Sequence, residues 1–170
     1  MDIYPVFRPR VDVNKDGSTF DFTVTDDYLD NNSYAEYRAI KGDYLSSVLP
    51  SSDPIKSGYR FKGWRNAQDS NNMVYGNTII GWDYMDLYPY FLEIFRVTIG
   101  KASYQDNISW YTGGGCYVSS NSMEAYYDCT SDNVFYNISP SGTPSRYGYT
   151  FSHWKDSDGN TVVDGASNSS

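Results

Sequence analysis

Apolar and polar residues alternate with a period of two through most of the chain, and this pattern predicts strands. The candidate strands are FDFTVT from Phe20, YAEYRAI from Tyr34, YRFKGW from Tyr59, MDLYPYF from Met85, EIFRVTI from Glu93, CYVSS from Cys116, EAYYDC from Glu124, NVFYNI from Asn133 and YTFSHW from Tyr149. Clusters of Gly, Pro, Asn, Asp and Ser separate them, as turns require. The helical period is never sustained. Its best stretch, TDDYLDNNSYAEY, is broken by Asn31-Asn32-Ser33, although Thr25, Asp26 and Asp27 can cap a short helical turn. The expected fold class is mostly β, with little helix.

Two internal matches set the organisation. GYRFKGW at 58–64 returns as GYTFSHW at 148–154, an offset of 90 residues, and MDIYPVF at 1–7 returns as MDLYPYF at 85–91, an offset of 84. Solenoid turns repeat every 20 to 50 residues or so, so this longer period marks tandem modules. Module one is expected over 8–92 and module two over 93–170. Residues 1–7 then read as the terminal strand of a preceding or neighbouring module, and module two, stopping at DGASNSS, reads as lacking its own terminal strand.

The stretch KGDYLSSVLPSSDPIKSGYRFKGWRNAQDSNNMVYGNTIIGWDYMDLYPYF resembles the Listeria-Bacteroides repeat, also called the internalin B-type repeat. The matching positions are Gly42 and Asp43, Leu49 and Pro50, Pro54, then Gly58, Tyr59, Phe61, Gly63 and Trp64, and finally Leu87, Tyr88 and Phe91. In module two the match rests on Pro144 and on Gly148, Tyr149, Phe151 and Trp154, with His153 where the pattern has glycine. The resemblance implies a pair of small β-grasp-like modules, of a kind found in tandem on bacterial surface and secreted proteins and sometimes on phage structural proteins. It implies no catalysis. Strict alternation in GYRFKGW would put Tyr59, Phe61 and Gly63 on one face and Arg60, Lys62 and Trp64 on the other.

Composition sharpens this picture. Aromatic residues make up 18% of the chain, with 18 Tyr and 4 Trp, which suits strands and also recognition surfaces, where Tyr brings rigid amphipathic contact area. A net charge of −8 repels phosphate backbones and anionic lipid, so neither nucleic acid nor a membrane surface is an expected partner. No apolar run approaches the roughly 20 residues of a spanning helix.

Three groups of residues invite a chemical reading. Asp12, Asn14, Asp16 and Gly17 follow the opening of a calcium loop, but Thr23 stands where the bidentate Glu belongs. The competing reading is a hairpin turn between VDV and TFDFTV, with Asp16-Gly17 supplying positive φ; KDSDGNT around Asp156 and Asp158 reads the same way. Cys116 and Cys129 would face each other across a hairpin closed by Asn121 to Glu124, within reach of a disulfide worth about 3 kcal/mol. The alternative is two small buried thiols. His153, the one histidine, lacks a nucleophile signature around it, and Gly113-Gly114-Gly115 lacks a following helix that would cradle phosphate.

No catalytic residue, cofactor or complete metal set is expected, and two function classes remain. In the first, the chain is a non-enzymatic spacer or adhesion element of a bacterial surface or secreted protein, meeting a protein or glycan through Trp82, Tyr84, Trp110, Tyr111 or Tyr117, each of which can equally be packing. In the second, it is a structural subunit of a virion or surface filament whose copies join by strand addition through residues 1–7. A chain cut from a longer array accounts for the same frame.

Overall fold

The structure is a computed structural model that describes residues 7–25, 28–81, 83–133 and 135–162, and these fall into two compact units divided between Leu92 and Glu93. The first unit holds β1 (Arg10–Asn14), β2 (Tyr28–Asp30), β3 (Tyr34–Arg38), β4 (Tyr59–Asn66), β5 (Asn72–Val74) and β6 (Tyr84–Glu93) in one sheet of order β2-β3-β1-β6-β4-β5. β1 runs antiparallel to β3, with Val11 opposite Tyr37 and Val13 opposite Ala35. It runs parallel to β6, with Val11 opposite Met85 and Val13 opposite Leu87. A parallel central pair flanked by antiparallel strands is compatible with the β-grasp-like arrangement.

Alternation does its work in this sheet. Val11 and Val13 of β1, Ala35 and Tyr37 of β3, and Met85 and Leu87 of β6 point into a core completed by Leu45, Trp64 and Ile80, all buried. Leu45 enters from a 3-10 turn, Leu45–Ser47, where the chain crosses the sheet. Pro89 lies beyond Leu87, the last β6 residue paired with β1, so its missing N–H breaks no bond on that side.

The second unit holds β7 (Phe95–Gly100), β8 (Asn107–Ser109), β9 (Tyr117–Ser120), β10 (Glu124–Cys129), β11 (Ser141–Ser145), β12 (Trp154–Lys155) and β13 (Thr161–Val162). They form a sheet of order β7-β10-β9 and two strand pairs, β8 with β11 and β12 with β13. Its own core gathers Ile99, Cys116, Ala125, Tyr127, Cys129, Phe135 and Ile138.

The two units share a plan beyond their motifs. Ala35 and Ala125, Tyr37 and Tyr127, Leu45 and Phe135, Val48 and Ile138, and Trp64 and Trp154 all stand 90 residues apart and occupy matching places. The buried Tyr37 hydroxyl donates to the Thr23 carbonyl at 2.9 Å, and the buried Tyr127 hydroxyl donates to the Tyr111 carbonyl at 2.9 Å. Each ties a meandering segment back to the sheet. Tyr37→Phe and Tyr127→Phe are each expected to cost about 1 kcal/mol, through one lost bond and one carbonyl left short of a donor. Urea denaturation of each variant checks this, and an unchanged midpoint in either would refute the tie.

Several expectations need correction. FDFTVT is not a strand: the partner of β1 is β3, and residues 20–25 cross outside the ladder, where Phe20 drops into the core. The turn before it forms as expected, with Asp16 at φ 45° and Gly17 at φ 73° and the Ser18 amide donating to the Lys15 carbonyl. In NVFYNI, Phe135–Asn137 is a 3-10 turn; buried Phe135 and Ile138 recur at a spacing of three because they match Leu45 and Val48. Val134, and Asp26 and Asp27 of the expected capped turn, lie outside the described residues; Tyr28–Asp30 form β2.

Alternation also fails in GYRFKGW. Phe61 and Trp64 meet edge to face at 5.7 Å, so they share the core side instead of opposing it. Gly63, at φ 139°, breaks the pleat between them, and a Cβ there would approach Met73 Cε to 2.6 Å. In the second unit, where His153 takes this place, residues 151–153 lie outside strands and β12 begins only at Trp154.

Candidate functional site

On the outward face of β1 and β3, register puts Arg10 across from Arg38 and Asp12 across from Glu36. Arg10 bonds the Asp12 carboxylate through Nε at 2.9 Å and Nη2 at 2.6 Å and reaches Glu36 at 3.2 Å; Arg38 pairs with Glu36 from the other side. Asp12 is 4% exposed, so this guanidinium carries its compensation. The Tyr84 hydroxyl donates to Asp12 at 3.1 Å, and the Arg10 guanidinium lies 5.3 Å from the Tyr84 ring centroid. Asn14 donates to Asp86 at 2.8 Å and to the Leu87 carbonyl.

The calcium-loop residues are thereby engaged in joining strands. Asp12 holds Arg10 and Tyr84, Asn14 ties β1 to β6, and Asp16 sits in the turn beyond. Among the described residues, no three His, Cys, Asp or Glu side chains gather as metal ligands would.

Burial, and then the bond to the Asp12 carboxylate, push the Tyr84 phenol up to about 12, and burial likewise raises Tyr37. Phenols raised in this way favour the neutral form of the folded state. Their contribution is complete below the unfolded value of about 10 and is lost as pH rises through the folded value. The first unit is therefore expected to lose stability between about pH 10 and about pH 12, in step with tyrosinate absorbance. Tyr84→Phe should make that loss shallower; an unchanged slope would count against the Asp12 bond.

The expected contact aromatics prove to be largely packing residues. Tyr84 belongs to the charge network, Trp110 packs against the second core under Lys101, and Tyr117 meets Tyr127 edge to face at 5.9 Å. Tyr111 is partly exposed and supplies the carbonyl that holds Tyr127. Trp82 lies outside the described residues. Among the described residues, Tyr44, Tyr75, Tyr104, Tyr147 and Tyr149 are instead the tyrosines most open to solvent.

The cysteines share one core without facing each other across the hairpin. Ser120 opposes Ala125 and Ser119 opposes Tyr126 as the hairpin requires, but a bulge then sets Tyr117 opposite Tyr127. The Asp128 amide accordingly donates to the Cys116 carbonyl, and Cys129 pairs with Phe95 on its other side. Both are buried in that core. His153 is exposed, with Nδ1 2.7 Å from Oγ of its neighbour Ser152.

Sequence reasoning missed Asn66, almost fully buried, whose Oδ1 accepts from the Gln68 amide at 3.2 Å and from the Asp86 amide at 3.1 Å. Its counterpart 90 residues on, Asp156, accepts from the Asp158 and Asn160 amides. The available signal was a short polar side chain two residues after each tryptophan of the GYxFxxW pair.

Open grooves flank that motif in both units. In the first, Phe61, Lys62, Gly63 and Trp64 border one with Leu49 and Pro50. In the second, a groove of about 400 Å³ is lined by Gly100, Ile108, Pro144, Arg146, Phe151 and Trp154, among others. Arg146 donates to Asp106 at 2.5 Å at its rim, a bond that holds the Asp106 carboxyl below its ordinary range.

Two small β modules built on one plan, with their distinctive side chains spent on joining strands, define a tandem structural repeat. The chain belongs to the Listeria-Bacteroides repeat domain family, whose model matches residues 14–88 and again 107–170. Modules of this family are typical of extracellular or surface proteins. No curated protein and no solved structure matches the chain. No helix among the described residues is long and apolar enough to cross a membrane.

Proposed function

We propose that the chain is a non-enzymatic module pair that serves as a spacer or adhesion element of a bacterial surface or secreted protein. The observation that carries this reading is the duplicated plan, in which the same positions, 90 residues apart, hold each core and each tyrosine tie. Polar groups that sequence patterns flagged as chemical are engaged in structure: Asp12 neutralises Arg10, and His153 bonds its own neighbour. An acidic surface carrying many open tyrosines supports contact with a protein or glycan.

Antibody labelling of intact cells tests the location, with labelling expected before permeabilisation; labelling only afterwards would overturn it. Glycan and protein arrays probed with the free chain separate the two roles. A saturable ligand whose binding falls on substitution of Tyr147 or Tyr149 establishes adhesion, whereas uniform absence of binding leaves the spacer role.

A further inference from the structure

The chain enters the first unit through β1 and leaves it for the second unit at the end of β6. These two strands are neighbours in the middle of the sheet, and they run parallel. Among the described residues, the order β2-β3-β1-β6-β4-β5 makes their pairing the ladder that joins two three-stranded halves. Arg10 at the start of β1 lies opposite Tyr84 at the start of β6, so Glu93 stands about 30 Å further along the same direction, at about 3.3 Å per residue. Tension carried along the chain therefore pulls β1 and β6 past each other along their own axes. The bonds between them are loaded together and do not open one by one.

We propose that the first unit is a load-bearing link, which stays folded and so keeps its length while the protein that contains it is under tension. The seam between β1 and β6 is reinforced on both faces. On the core side Val11, Val13, Met85 and Leu87 are at most 1% exposed, so water is kept from the backbone bonds beside them as they stretch. On the outward side Asn14 Nδ2 donates to Asp86 Oδ1 at 2.8 Å and to the Leu87 carbonyl at 3.1 Å, and the Tyr84 hydroxyl donates to Asp12 at 3.1 Å. The Arg10 amide donates to the Asp83 carbonyl at 3.0 Å and closes the ladder where both strands begin. Each of these bonds crosses from one half of the sheet to the other, and each must break before the halves can slide. Arg10 holds Asp12 and also reaches Glu36 of β3, so load on the seam spreads into the next strand. The inference deepens the spacer reading and rests on it: a passive spacer needs length alone, whereas this arrangement holds that length against force.

Single-molecule force spectroscopy on the full chain provides the test, with handles coupled to azide-bearing residues introduced in place of the exposed Phe7, Asp83 and Glu93, two at a time. Pulling between positions 7 and 93 loads the seam in shear. Pulling between positions 7 and 83 peels the same bonds apart from one end, because Asp83 adjoins Arg10. At one loading rate, rupture in shear should need several times the force of rupture by peeling. Asn14→Ala should speed rupture in shear at a fixed force by about 10-fold or more, the effect of losing two bonds that last until the barrier is crossed. It should hardly alter peeling, in which those bonds break last. Tyr37→Phe, which removes a bond to Thr23 and none across the seam, should leave the shear force unchanged. Equal forces in the two directions overturn the proposal, as does a shear force that falls no further for Asn14→Ala than for Tyr37→Phe. The comparison of directions keeps every bond of the seam, so it decides the matter even where Asn14→Ala fails to fold. Labelling of intact cells judges the surface reading separately: labelling together with equal forces leaves a passive spacer, and absence of labelling overturns the surface reading whatever the forces.

Discussion

Trp64→Ala is expected to destabilise the first unit by about 3–5 kcal/mol, the range for deleting a buried aromatic ring. Trp64 is 5% exposed and holds Phe20 and Phe61 edge to face at 5.6 and 5.7 Å. A unit of this size commonly has no more than about 5–12 kcal/mol in total, so a large part of its margin would go. Among the described residues, the core of the second unit is built from residues between Phe95 and Val162. Denaturation should therefore split into two transitions, with amide protection over residues 95–162 retained through the first. Trp154→Ala, at a partly buried site that meets Phe135 and Phe151 edge to face, should cost about half as much. A single shared transition for Trp64→Ala, or equal losses at the two tryptophans, would refute this account of the cores.

Arg10→Ala is expected to cost the first unit about 2–3 kcal/mol at neutral pH. Removing the guanidinium leaves Asp12 and Glu36, opposite each other and almost buried, with Arg38 as the cation for Glu36 and, among the described residues, none for Asp12. The figure is set below that of a fully buried pair because the Arg10 side chain is 39% exposed and water screens part of the interaction. Arg10→Lys should recover only part of the loss, since an ammonium cannot reproduce the fork to Asp12 and the contact with Glu36 together. Urea denaturation of the three chains measures it, and full recovery by lysine would show that charge alone suffices.

Much of this architecture was legible in the residues. Alternation in YAEYR, FRVTI and EAYYDC gave true strands because each buries one face. The repeated GYxFxxW falls once in each of the two stretches that the family model matches, 14–88 and 107–170. What was not legible depended on single residues that override a period. Gly63 reverses the side on which Trp64 falls, and a bulge near Val118 moves Cys116 opposite Asp128, one residue from its expected partner. NVFYNI has the composition of a strand, but Phe135 and Ile138 sit three apart, and that spacing serves a 3-10 turn over a core better than a pleat. The charge network was hidden for another reason. Arg10, Asp12, Glu36 and Tyr84 are ordinary residues of three strands, and only the register brings them together.

The position of β6 has a consequence for how such a module comes to exist. It is the last strand of the first unit in sequence and among the innermost in the sheet, pairing Met85 with Val11 across most of the unit's length. Contacts this distant are slow to form, because loop closure must precede any gain from pairing. On a ribosome, the sheet therefore stays open at its middle until the final strand emerges, with β1 and β4 waiting on either side. In an array of like modules, a neighbour's Met-Asp-x-Tyr-Pro strand competes for that opening throughout the wait. The order of strands in the first unit thus makes synthesis rate and the spacing between repeats part of what decides which strand completes its sheet.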